Sequence, residues 1–211
     1  MKPRPAIVVL ALLSFVLLPF SAGAQAPGAT PAPPSSSSGT SGHGMHGSST
    51  PAGGHMAGLP KAAPSDVASS EAIVAAYYEA LSGPEGKKRD WNRFLSLFFP
   101  GARLLPAEGK GHTGTMPHSF TPSKYLYDTE VIMARDGYVP KEIARRAESF
   151  GKITHVWSTY EARHAAGDEK PFVRGVTSFE LFHDGKRWWI VAAVWQPETT
   201  TLTLPAEDLP K

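Results

Sequence analysis

Ile153 to Pro197 reads ITHVWSTYEARHAAGDEKPFVRGVTSFELFHDGKRWWIVAAVWQP, three β-branched and aromatic runs separated by two turn signals. The first run, Ile153 to Arg163, ends in the polar break His164 to Lys170. The second, Phe172 to Phe182, ends in His183-Asp184-Gly185-Lys186, and the third, Arg187 to Trp195, stops at Pro197. Asp-Gly between two such runs is a tight-turn signal, so the stretch predicts an antiparallel meander. Side chains alternate along a strand. Ile153, His155, Trp157, Thr159, Glu161 and Arg163 therefore share one face of the first strand, with Thr154, Val156, Ser158, Tyr160 and Ala162 on the other. Strict alternation places Arg174, Val176, Ser178, Glu180 and Phe182 together on the second strand, and Arg187, Trp189, Val191, Ala193 and Trp195 together on the third. Trp188 and Trp189 must then point to opposite faces, one into a core or pocket and the other exposed or at an interface.

The chain before residue 69 is of another kind. Met1 to Ala24 carries Lys2 and Arg4, an apolar run from Ala6 to Phe20, and Ala22-Gly23-Ala24 before Gln25. These are the parts of a secretory signal peptide, and the run is shorter than the ~20 residues that span a bilayer. A periplasmic or secreted protein, free of the membrane once residues 1–24 are removed, is the expectation. The sequence has no cysteine, so no disulfide supports the fold and stability must come from a packed core. Of 21 Lys and Arg, two lie in the leader, leaving 19 against 19 Asp and Glu. That balance lacks the basic footprint of a nucleic-acid binder.

Residues 25–68 read as a disordered linker rich in Ala, Pro, Ser and Gly. From Gln25 to Pro60 there is no Asp, Glu, Lys or Arg, and too little apolar surface to offset ordering entropy. Its one chemical feature is the group His43, Met45, His46, His55 and Met56, since imidazole with thioether suits copper and imidazole alone suits zinc or nickel. The alternative is a hydrophilic tether in which these residues are incidental.

From Ser69 or Ser70, which can cap a helix, Ile73, Ala76, Tyr77, Ala80 and Leu81 recur at helical spacing up to Gly83-Pro84. Asp90 is placed to cap a short helix, Trp91 to Phe98, and Arg103 to Leu105 is a short strand candidate. Ala107 to Thr121 is a long Gly-rich loop containing His112 and His118. Ser119 or Thr121 precedes a helix, Ser123 to Arg135. Between Tyr138 and Phe150, the segment KEIARRAE favours a helix by local propensity. Residues 199–211 form a Thr- and Pro-rich tail that wraps the domain or frays.

The helix EAIVAAYYEALS, the segment WNRFLSLFFPGARLLP, Phe150 to Glu161 and RGVTSFELFHDGKRWWIVAAVWQPE together resemble the nuclear-transport-factor-2-like (NTF2-like), or SnoaL-like, superfamily. The resemblance covers roughly residues 69–198. It implies an α+β fold, an NTF2-like cone with helices packed on a strongly curved antiparallel sheet, and it decides the ambiguous 138–150 segment in favour of a strand. It also implies a conical cavity and, on the other sheet face, a homodimer surface. It does not imply one chemistry, because this fold hosts isomerases, dehydratases and binding modules.

Tyr78, His155, Trp157, Arg174 and Trp195 are the candidate pocket residues. If His155, Arg174 and Trp195 meet inside the cone, they form a polar cluster against an aromatic wall suited to a carboxylate or enolate. Enzymes of this superfamily that resemble ketosteroid isomerase need a pocket base; the candidates are His155, Glu180 and Glu161, with Tyr77 or Tyr78 as donor. The last strand, Ile190 to Val194, carries no Asp or His, which departs from the enzyme pattern. No Gly-rich phosphate cradle, His-Glu-x-x-His element or Gly-x-Ser-x-Gly elbow occurs, so no cofactor is expected. Three readings result: a non-catalytic domain binding a small apolar or carboxylated ligand in its cone, a cofactor-independent isomerase or lyase, and metal binding by the His/Met linker.

Overall fold

A computed structural model of the chain describes residues 58–107 and 119–211. The leader, most of the linker with its His/Met group, His112 and His118 lie outside the described residues. Three helices, α1 (Ser70–Leu81), α2 (Trp91–Ser96) and α3 (Pro122–Asp136), combine with five strands, β1 (Phe98–Pro106), β2 (Val139–Phe150), β3 (Ile153–Arg163), β4 (Val173–His183) and β5 (Trp188–Pro197). The sheet order is β1-β5-β4-β3-β2. β2 through β5 form the expected antiparallel meander, and β1 joins it as a parallel neighbour of β5. Helices packed on one side of this mostly antiparallel sheet make the cone-shaped α+β arrangement that the NTF2-like resemblance implies.

Local chemistry sets the element ends. Ser69 Oγ accepts from Ala72 N at 3.1 Å to cap α1, Asp90 Oδ1 accepts from Arg93 N at 2.9 Å to cap α2, and Thr121 Oγ1 accepts from Lys124 N at 3.2 Å to cap α3. Past the end of α1, the buried Arg89 guanidinium donates to the carbonyls of Leu81 and Gly83 at 3.2 and 2.6 Å. A cation there satisfies terminal carbonyls and opposes the negative end of the helix dipole.

Segment 139–150 is a strand despite its helical propensity. Its backbone pairs with β3 from Val139↔Arg163 to Phe150↔Ile153, and a long ladder outweighs a per-residue preference of under about 1 kcal/mol. The packed chain also begins ahead of α1. Ala62 and Val67 lie in the core, and Asp66, in a 3-10 turn at Pro64–Val67, takes a two-pronged contact from Arg93 at 2.7 and 2.9 Å.

The core lies between the helices and one sheet face. Phe94, Phe98, Phe179, Ile73, Leu97, Leu104 and Ile190 are fully buried, each contributing about 1.5–3 kcal/mol by removal from water. On β3 this inner face is Thr154, Val156, Ser158, Tyr160 and Ala162, all buried, so His155, Trp157, Glu161 and Arg163 occupy the outer face.

Strict alternation fails on β5. Ala192 pairs with Glu180 while Ile190 pairs with Leu181, so Val191 is an extra residue and the register shifts there. One inserted residue reverses the faces beyond it. Trp195 and Ala193 therefore face the helices while Trp189 faces outward, contrary to the single shared face that spacing predicted. The outward Trp189 is nevertheless covered within one chain, and Trp188 is half-buried. Trp188 packs on the core, and Trp189, 3% exposed, is enclosed by Phe99, by Phe182 and by the Arg187 guanidinium 3.6 Å above its ring.

Candidate functional site

Two places in the fold could hold a ligand, one on each side of the sheet. Inside the cone, Tyr77 and Tyr78 from α1, Tyr125 from α3, Tyr138 before β2, Tyr160 from β3, Thr177 from β4 and Trp195 from β5 surround a space of about 20 Å³. That holds about one water molecule. The rings fill the cone: Tyr77 packs edge-on against Phe179 at 5.0 Å and against Tyr78 at 5.4 Å, and Tyr125 packs edge-on against Trp195 at 5.6 Å. Burial raises the phenol pKa of Tyr77, Tyr78, Tyr125, Tyr138 and Tyr160, that of Tyr78 to about 12. All five are neutral hydroxyls near neutral pH.

One polar chain leads out of this interior. The Tyr78 hydroxyl lies 2.9 Å from Ser158 Oγ, which donates to Glu142 Oε1 at 2.6 Å. The serine proton is engaged by the carboxylate, so Tyr78 is the donor in the first bond. Arg145 donates to both Glu142 oxygens, at 3.1 Å from Nε and 2.7 Å from Nη2. Glu142 thus accepts from a hydroxyl and a guanidinium at once.

Across the sheet, the C-terminal tail does not fray. After Pro197 it returns over the outer face as a strap, with Leu202, Thr203, Leu204, Pro205 and Asp208 opposite Trp157, Val176, Ser178, Val194 and Gln196. Strap and sheet enclose a groove of about 310 Å³, at the small end of the ~300–1,000 Å³ typical of ligand sites.

The strap is held at both ends. Glu198 takes Arg174 Nε at 2.8 Å and Nη2 at 3.2 Å, and its Oε1 also accepts from Leu204 N at 2.9 Å. Burial alone would raise the Glu198 pKa, but these bonds and the nearby arginine charge leave it lowered. At the far end Asp208, 5% exposed, accepts from Trp157 Nε1 at 3.1 Å through Oδ2. Arg146 Nη2 lies 2.8 Å from Asp208 Oδ1, an ion pair by distance although Oδ1 makes no well-directed hydrogen bond.

The candidate residues named from sequence divide between these two places. Tyr78 and Trp195 line the cone interior, and Trp195 also borders the groove. His155, Trp157 and Arg174 lie on the outer face, where Trp157 lines the groove, His155 Nε2 is 2.9 Å from Ser178 Oγ and Arg174 anchors the strap. His155, Arg174 and Trp195 are therefore not brought together. Glu180 is exposed opposite His155, and Glu161 is ion-paired with Arg163. Glu142, Ser158 and the strap residues were missed by sequence reasoning; no local pattern marks them, because a ladder bulge and a returning tail bring them into place. Among the described residues no group of three or more His, Cys, Asp or Glu side chains is assembled for a metal ion.

No protein-family model and no curated protein matches the sequence. Solved structures similar to it include a protein of unknown function with a cystatin-like fold from Nostoc punctiforme, at 10% identity over 61% of this chain and 87% of that one, with a TM-score of 0.47. An NTF2-like protein from Pseudomonas putida shares 12% identity over 64% and 89% of the two chains, with a TM-score of 0.47. An NTF2-like protein from Silicibacter pomeroyi shares 20% identity over 62% and 94%, with a TM-score of 0.43.

Proposed function

We propose that this chain is an exported, non-catalytic binding protein of NTF2-like fold whose small ligand sits in the groove beneath the C-terminal strap. The observation that carries this reading is the contrast in free volume, about 20 Å³ among the cone tyrosines against about 310 Å³ in the groove. A ligand in the cone would have to displace packed aromatic rings. The groove already presents apolar surface from Trp157, Val176, Val194, Leu202 and Leu204. Burial of apolar surface contributes roughly 25 cal/mol per Å², so such walls bind without needing a reactive group.

Several features speak against turnover. Glu142, the carboxylate nearest the cone hydroxyls, is occupied by Ser158 and Arg145. A general base has to reach a substrate proton, within about 3.2 Å, and the space of about 20 Å³ among the tyrosines has no room for a substrate. His155, Glu161 and Glu180 lie on the opposite sheet face from the tyrosines.

The test uses N-phenylnaphthylamine, an uncharged dye that brightens in apolar sites. Saturable binding is expected, weakened at least about tenfold, 1.4 kcal/mol, by Val194→Trp, which fills the groove from the sheet. Binding that ignores this substitution would place the dye elsewhere and remove the groove as the ligand seat.

A further inference from the structure

The groove also carries information about the charge of what it binds. Its lining contains two carboxylates, Glu198 and Asp208, and no Lys, Arg or His side chain. Each carboxylate has a guanidinium partner, Arg174 for Glu198 and Arg146 for Asp208, and neither arginine is part of the lining. Each carboxylate at the ends of the strap is therefore held in an ion pair, and no cationic side chain lines the cavity.

Several polar groups of the walls are already engaged. Trp157 Nε1 donates to Asp208, Ser178 Oγ is bonded to His155, and the Leu204 amide donates to Glu198. Between them lie Val176, Val194, Leu202 and Pro205. Resting on the reading of this groove as the ligand seat, we infer that its ligand is an uncharged apolar molecule and that carboxylated or sulfonated ligands are rejected. An anion entering the groove would lose hydration worth several kcal/mol and find no cationic side chain in the lining to replace it. A cation would find carboxylates already neutralised by guanidinium, and so would gain little against its own desolvation. Shape and apolar area are what remain to recognise a ligand.

A matched pair of dyes on the full-length protein tests this. N-phenylnaphthylamine and anilinonaphthalene sulfonate share an aromatic body and differ in the sulfonate. Val194→Trp and Leu202→Trp fill the groove from its two walls, and Leu202, 49% exposed on the strap, serves should the sheet variant fail to fold. For the groove-dependent part of binding, lost in either variant, the neutral dye is expected to bind at least about tenfold more tightly than the sulfonate. Glu198→Gln leaves the Arg174 guanidinium uncompensated and is expected to strengthen sulfonate binding several-fold. Equal groove-dependent affinity for the two dyes would overturn the charge inference while leaving the groove as the seat. Neutral-dye binding that is absent, or indifferent to both tryptophan substitutions, would overturn the seat itself; if a second copy of the chain covers the groove instead, the same substitutions will shift sedimentation.

Discussion

Trp157 Nε1 donates to Asp208 Oδ2 at 3.1 Å, a bond that joins the middle of β3 to the end of the tail across 51 residues of sequence. It fixes the far end of the strap and so defines the floor and wall of the groove together. Asp208→Ala removes this acceptor and the Arg146 ion pair, leaving an indole N–H without its partner. The expected cost is about 1–2 kcal/mol, read from chemical denaturation, with faster proteolysis in the strap near Leu202 to Leu204. Unchanged stability and unchanged cleavage would mean that the strap is held by Glu198 alone.

Alkaline pH should unfold the protein through its tyrosines. Tyr77, Tyr78, Tyr125, Tyr138 and Tyr160 have phenol pKa values raised above the ordinary 10, that of Tyr78 to about 12, chiefly by burial. A folded state that holds its protons more tightly than the unfolded chain keeps the associated stability below pH 10 and loses it as pH rises through the folded values. Stability is expected to be level below about pH 9 and to fall above pH 10. Tyrosinate absorbance of these phenols should rise together with loss of circular dichroism, and ionisation that precedes unfolding would show that the cone admits hydroxide.

Asp184 has the opposite sign. Burial alone would raise its pKa, but hydrogen bonds from Trp189 Nε1 at 2.8 Å and from the Arg187 and Lys186 amides outweigh this and hold it at about 2. Its stabilisation is therefore present above the ordinary value of 3.8 and lost as pH falls through about 2. Asp184→Asn should be less stable than the parent at pH 7, and the gap should close between pH 4 and pH 2. A gap independent of pH would show that the turn needs the side-chain shape and not the charge.

Gly137 ends α3 at φ 73°, and a Cβ there would meet the His164 carbonyl oxygen at 2.2 Å and the Glu85 amide nitrogen at 2.9 Å. Both obstacles are backbone, so neither can rotate away. Gly137→Ala is expected to destabilise by about 2–4 kcal/mol, combining left-handed strain with the displaced backbone. A thermal midpoint within a degree of the parent would show that the β3 end moves freely.

Pairing a tail 51 residues distant with β3 is the kind of relationship that local pattern cannot express. The N-caps, read to within a pair of residues at Ser69 or Ser70 and at Ser119 or Thr121 and directly at Asp90, the meander and its Asp184-Gly185 turn were legible because each depends on neighbours in the chain: a hydroxyl or carboxylate reaching two or three residues on, a tight turn, an alternating run. The strand at 139–150 was legible only through resemblance, since its own residues favour a helix and its partner strand overrides them. What tertiary structure alone decided is which side of the sheet each candidate faces. The extra residue at Val191 turns Trp195 inward and Trp189 outward, the five tyrosines converge from three different elements and the segment before β2 to fill the cone, and the returning strap forms a groove on the far side. Face and cavity depend on one register shift and on contacts distant in sequence, whereas caps, turns and alternation are settled within a few residues.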